Sequence, residues 1–218
     1  MDLYIGNKNL SSWSMRPWLV LEHFQIPFTE HLIPFDDFAE GHPFKQTMLR
    51  VSPTAKVPTL VDQGLSIWDS LAICEYLAER YPDRSMWSED QIQRAHARSI
   101  SAEMHSGFSN LRTLCPMNIK ESLPEIGAKH IEESEALRKE IKRIEQIWLS
   151  RPDPEGFIVS SSFTIADAFY APVVMRILSY QLPVSPNAQQ YIQTILSVPA
   201  VKKWMEQAKH ENLPPRNA

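Results

Sequence analysis

Three short segments carry side chains whose types and spacing suit chemistry. The first is Ser11-Ser12-Trp13-Ser14-Met15-Arg16. A helix beginning among these hydroxyls would offer free N–H groups and the positive end of its dipole, which favour an anion and lower the pKa of a thiol placed there. Read locally, the same serines are N-cap residues and nothing more. The second is Lys56-Val57-Pro58-Thr59-Leu60. A proline at a strand start cannot donate to the ladder and is a site where a cis bond can occur. If the bond is cis, the Val57 backbone turns outward, free to pair with an extended peptide ligand; if trans, Pro58 is an ordinary edge proline. The third is Asp69-Ser70, read as a strand-to-helix junction with Ser70 as N-cap. A carboxylate would sit on the helix-start N–H groups and an ammonium on Asp69, so the pair suits the zwitterionic end of an amino acid.

These segments need elements to hold them. Leu3 to Ile5 reads as a strand, and Ser14 to about Gln25 as a helix with Pro17, Val20, Leu21 and Phe24 on one stripe. Pro17 is expected in the first turn, where its missing N–H costs nothing. Phe28 to Ile33, Val57 to Val61 and Leu65 to Trp68 are predicted strands, with a turn at Asp62-Gln63-Gly64. Pro34 to Pro53 is expected to be irregular and partly helical, and Ser70 to Tyr81 helical. The order β-α-β-α-β-β-α predicts a mixed sheet with helices on its faces. After Pro82 the strand patterns stop. Ile100, Met104, Phe108 and Leu111 are predicted to share one helical stripe, and Leu137, Ile141, Ile144 and Trp148 another. Thr164 and Asp167 are spaced as a capping box. Helices are expected near 187–197 and 199–210. The fold class is thus an α/β domain over 1–81 followed by an all-α domain over 88–218.

Composition narrows the chemistry. Six glycines, at 6, 41, 64, 107, 127 and 156, are never fewer than 20 residues apart. Dinucleotide fingerprints and P-loops need several glycines within about eight residues, so both are excluded. Basic residues number 22 against 26 acidic, a net charge of −4, so no nucleic-acid footprint is expected. The start of the chain does not look like a signal peptide, and no apolar stretch is long enough to predict a membrane span. Cys74 and Cys115 are too few for a four-cysteine zinc site; they read as reduced thiols, with Cys74 in a core, and no metal is expected.

The ordered set of strand, serine-rich helix start, Val57-Pro58-Thr59-Leu60, Gly64 turn and Asp69-Ser70-Leu71-Ala72-Ile73-Cys74-Glu75-Tyr76-Leu77 closely resembles the N-terminal half of cytosolic glutathione transferases. Thr164-Ile165-Ala166-Asp167-Ala168 and Pro199-Ala200-Val201-Lys202-Lys203-Trp204 extend the resemblance over nearly the whole chain. It implies a thioredoxin-like N-terminal domain, a helical C-terminal domain, a homodimer, a cytoplasmic location and a detoxification role, with glutathione as co-substrate. Carried over by position, Val57 pairs with the cysteinyl backbone of glutathione, Asp69 and Ser70 hold its γ-glutamyl end, and Lys56 meets the glycyl carboxylate. Most members have Glu or Gln where Asp69 stands, so a shorter reach is implied. The helix start is most similar to the zeta class pattern Ser-Ser-Cys-Ser-x-Arg, with Trp13 in place of the cysteine. The resemblance assigns the catalytic hydroxyl to Ser11, with Ser12 the second candidate, and Tyr4 is set aside because it lies within a strand.

A free thiol, with a pKa near about 8.5, is only a few per cent thiolate at neutral pH. Lowering it by roughly two units needs about 2.7 kcal/mol, the size of one charge-assisted hydrogen bond plus a helix dipole. The implied activity is thiolate attack on a small electrophile, or peroxide reduction. The alternatives are zeta-type cis–trans isomerisation of maleylacetoacetate, which the bulk of Trp13 disfavours, and a non-catalytic ligand-binding role. The second pocket is expected between the domains, lined by Trp13, Met104, His105, Phe108 and Arg112, with His105 a further donor to the thiol region. Read locally, the stretch 104–108 is helix packing, with Gly107 allowing close helix contact.

Overall fold

Four short strands alternate with helices over the first 80 residues of the computed structural model, which describes residues 1–35 and 41–211. Strand β1 (Asp2–Ile5) buries Leu3 and Ile5 on one face, as its alternation requires. It pairs in parallel with β2 (Thr29–Leu32) and antiparallel with β3 (Thr59–Asp62), and β3 pairs antiparallel with β4 (Leu65–Trp68). The order β2-β1-β3-β4 gives a mixed sheet. Gln63 and Gly64 both take positive φ in the β3–β4 turn. The Val57–Pro58 bond is cis, and both residues precede β3 rather than belonging to it.

Helix α1 (Ser12–His23) starts two residues earlier than the apolar stripe predicts, because Ser11 caps it. Pro17 therefore lies inside the helix rather than in its first turn, and one backbone hydrogen bond is forgone there. Helix α2 (Pro43–Leu49) follows β2; part of the segment predicted irregular, residues 36–40, lies outside the described residues. Helix α3 (Ser70–Arg80) begins one residue after its N-cap, which is Asp69 and not Ser70.

From Gln91 onward the described elements are helices: α4 (Gln91–Ser106), α5 (Ser109–Leu114), α6 (Pro124–Glu133), α7 (Glu135–Leu149), α8 (Ile165–Tyr180), α9 (Pro186–Ser197) and α10 (Pro199–His210). The stretch from Ile100 to Leu111 is two helices, not one. Gly107 ends α4 and Phe108, at φ 56°, caps α5. A Cβ on Gly107 would press on the Glu103 carbonyl of its own helix, so its smallness serves that helix end. The capping box forms as predicted: the Thr164 N–H and hydroxyl both donate to Asp167 Oδ2, at 2.9 and 3.0 Å. Residues from 212 on, the end of the stretch assigned to the helical domain, lie outside the described residues.

The core is continuous between the sheet region and the helices. Trp18 and Leu19 of α1, Ile73 of α3, Phe169 of α8 and Trp204 of α10 belong to one buried cluster. A smaller cluster, Phe44, Met48 and Ala55, packs with Phe35 and Val57 beside it.

Candidate functional site

Ser11 is buried at the head of α1. Its hydroxyl donates to Ser14 Oγ at 2.7 Å and accepts the Ser14 N–H at 3.3 Å. Ser14 Oγ also accepts the Gly6 N–H at 3.2 Å, so it keeps a partner if Ser11 turns its proton elsewhere. Ser12 Oγ accepts from Arg176 Nη2 at 3.0 Å, and Arg176 Nη1 donates to the Cys115 carbonyl at 2.6 Å. A hydroxyl that accepts from a guanidinium is a better donor of its own proton.

Both serines line a cavity of about 570 Å³, together with Lys56, Val57, Arg112 and Arg176. Phe35, Phe44, Pro116 and Met117 supply apolar wall. A second cavity of about 440 Å³ is lined by Lys56, Val57, Pro58, Trp68, Asp69 and Ser70. Trp13, Thr54, Lys56 and Val57 belong to both, so the two are neighbouring chambers with Trp13 at their junction. The Thr59 hydroxyl donates to the Lys56 carbonyl at 2.9 Å and ties that segment to β3.

Trp13 is held between two cations. The Arg16 guanidinium lies 4.3 Å from the indole centroid and that of Arg112 4.6 Å. Arg16 is only 2% exposed, stacks on Phe169 as well, and has no hydrogen-bond partner at Nε or Nη1. Burial, then the charges of Arg112 and Arg176, push its pKa down to about 9. Burial and Arg112 bring Arg176 to about 10. Arg16 and Arg176 remain cations at neutral pH, and the Arg112 and Arg176 guanidinium groups give the first cavity its basic lining. Arg112 donates to the carbonyls of Met104 and, at 3.2 Å, His105, at the negative end of α4.

Asp69, at φ 76°, holds a positive φ unusual for a residue with a side chain. Its Oδ1 accepts the Leu71 and Ala72 N–H groups at 2.8 and 3.3 Å, and its Oδ2 faces His105 Nε2 at 3.1 Å. Ser70 Oγ is buried without a hydrogen-bond partner. His105 sets its ring edge-on to Trp13, centroids 5.3 Å apart. It reaches the Asp69 carboxylate rather than the serine-lined chamber. Burial lowers its pKa; Asp69 opposes this and Arg16 and Arg112 reinforce it.

Of the residues read from sequence for the second pocket, Trp13 and Arg112 line the cavity, while Met104 and Phe108 are buried in the core. Cys74 is fully buried, and its thiol is pushed above the usual range, so it is inert at neutral pH. Arg176 belongs to none of the motifs that point to chemistry in the sequence. Its signal was present: a lone cation in the apolar run Val173-Val174-Met175-Arg176-Ile177-Leu178 of a helix buried almost all round.

Residues 10–80 match the family described as "Glutathione S-transferase, N-terminal domain". Over 205 residues the chain is 30% identical to a "Probable maleylacetoacetate isomerase" from Caenorhabditis elegans, covering 91% of this chain and 89% of that protein. The chain belongs to the glutathione S-transferase family. It is also 24% identical over 203 residues to "Glutathione S-transferase GstB" from Escherichia coli K12, spanning 91% of this chain and 95% of the relative. Among solved structures, a glutathione transferase homolog from Burkholderia gl BGR1 with bound glutathione superposes at a TM-score of 0.71 with 24% identity, covering 96% of this chain and 98% of that one. The fold is therefore the family's: a thioredoxin-like sheet region followed by helices.

Proposed function

We propose that this chain is a glutathione transferase that binds glutathione across both chambers and activates its thiol with Ser11. The observation that carries the reading is the serine-capped start of α1, opening into a cavity that adjoins the Asp69–Ser70 chamber through Trp13, Lys56 and Val57. The γ-glutamyl ammonium and carboxylate suit Asp69 and the start of α3. The cysteinyl backbone suits Val57, and the glycyl carboxylate suits Lys56. This sets the sulfur beside Ser11 and Ser12. The Ser11 hydroxyl turns its hydrogen bond from Ser14 to the sulfur, the helix end adds its dipole, and the thiol proton is released to solvent. The thiolate forms a C–S bond to the electrophilic carbon, and the leaving group departs with the bonding pair.

The same reading makes the protein a homodimer acting on toxic electrophiles in the cytoplasm. Support comes from the apolar Leu65 and Trp68 exposed on edge strand β4, and from two free, buried cysteines that suit a reducing compartment. Recovery of the native protein outside the cytoplasm on cell fractionation would contradict the location.

The decisive test is an ultraviolet titration of bound glutathione. Ser11→Ala is expected to raise the apparent thiol pKa by about one unit or more, in line with the loss of one hydrogen bond to a charged group. Ser12→Ala is expected to raise it less. An unshifted titration in Ser11→Ala refutes the assignment.

One observation favours a second reading. Arg112 and Arg176 both line the chamber that would receive the second substrate, so an electrophile bearing a carboxylate fits better than a neutral one. Two relatives are named maleylacetoacetate isomerase, one of them at 31% identity over 121 residues. In that chemistry the thiolate adds to a double bond, the adduct rotates, and elimination returns the glutathione. Turnover of maleylacetoacetate exceeding that of neutral electrophiles would decide for the isomerase.

A further inference from the structure

We infer that Glu211, just beyond the end of α10, is a positioning residue for Ser11. The inference rests on the proposed role of Ser11 and concerns how that hydroxyl is held. The loop from β1 to α1 gives every main-chain polar group of Lys8 and Asn9 to the helical part of the chain. The Glu211 carboxylate accepts the Lys8 N–H at 2.5 Å and the Asn9 N–H at 3.2 Å, one on each oxygen. The Lys8 carbonyl accepts from Trp204 Nε1 at 3.1 Å, and the Asn9 carbonyl accepts the Ile119 N–H at 3.3 Å. The Asn9 side chain donates to Asn118 Oδ1 at 3.0 Å and accepts the Lys120 N–H at 2.9 Å. Lys120 Nζ in turn donates to the Glu211 carbonyl, which fixes the residue that does the holding.

Among the described groups that hold the Lys8 and Asn9 main chain, only the Glu211 side chain is charged, and it grips two successive amides. The next turn of chain carries the reacting group directly: the Ser11 N–H donates to the Asn7 carbonyl at 2.7 Å, one residue before Lys8. Small shifts of a catalytic group are costly to rate, so slackening the loop should act on the thiol step. Asp69, Ser70 and Val57 lie on other elements, so glutathione binding itself should be little affected.

The test compares Glu211→Ala, Glu211→Gln and Ser11→Ala in the full chain. Its readouts are the titration of bound glutathione, steady-state kinetics with a chlorodinitrobenzene probe, and amide exchange at Lys8 and Asn9. Glu211→Ala is expected to lower kcat about tenfold with KM for glutathione unchanged, to raise the apparent thiol pKa, and to speed exchange of both amides. Glu211→Gln keeps an acceptor for one amide and is expected to recover part of each loss. The inference is overturned if the two amides exchange as in the native protein. It is also overturned if Ser11→Ala shifts the thiol while Glu211→Ala does not. If Ser11→Ala itself leaves the thiol unmoved, the Ser11 reading has failed and the positioning role falls with it.

Discussion

At Asp69 a single carboxylate serves two elements: one oxygen caps α3, and the other meets His105 from α4. The imidazole faces Asp69, Arg16 and Arg112, with burial the largest influence, and its folded pKa lies below the ordinary 6.5. Between that lowered value and 6.5 the unfolded chain binds more protons than the folded one, so this group's contribution to stability rises with pH and is lost as pH falls below 6.5. In denaturant titrations the stability gap between the native protein and His105→Gln is therefore expected to narrow from neutral pH down to mildly acid pH. A gap that stays constant over that range contradicts it. Ser11-Ser12 and Asp69-Ser70 were legible because serine and aspartate at a helix start are tied to backbone N–H groups; Val57 carries no such sign of its own and is marked only by the proline that follows it. Met104 and Phe108 were not legible, since apolar spacing does not say whether a side chain faces a core or a cavity. Which member of Asp69-Ser70 caps α3 was equally hidden, because both residue types cap well.

Among the elements, α8 holds the architecture together. It packs on α1, α4, α6 and α9, and is buried almost all round its length. Helix α6 meets its end closely: the Leu123 N–H donates to the Ser179 carbonyl at 2.6 Å, and a Cβ on Gly127 would collide with the Tyr180 carbonyl. Gly127→Ala is thus expected to destabilise the protein by about 2 kcal/mol or more despite the better helix propensity of alanine. Urea unfolding measures it, and an unchanged midpoint would show that α6 can shift freely. Strand β4, α9 and α10 were legible nearly to the residue, because a turn glycine and helix-start prolines mark their ends, and the stripe Leu137, Ile141, Ile144 and Trp148 marked the existence of α7. The start of α1 and the break at Gly107-Phe108 were not legible. A side-chain cap extends a helix beyond its apolar stripe, and a left-handed phenylalanine carries no compositional sign.

For the whole molecule, the proposed homodimer is expected to sediment at twice the 25.1 kDa of one chain, and a mass of one chain at micromolar concentration would refute it. The two-part layout was visible where strand patterns stop after Pro82, but the seam between the parts was not, since contacts far apart in sequence leave no local pattern. That seam includes the Asn7–Leu10 loop, whose neighbours are Asn118, Lys120, Trp204 and Glu211. An engineer who grafted residues 1–81 of this chain onto the helices of a relative would therefore transplant the serines without the residues that hold the loop before them. A working chimera would have to carry those four distant residues as part of the same module.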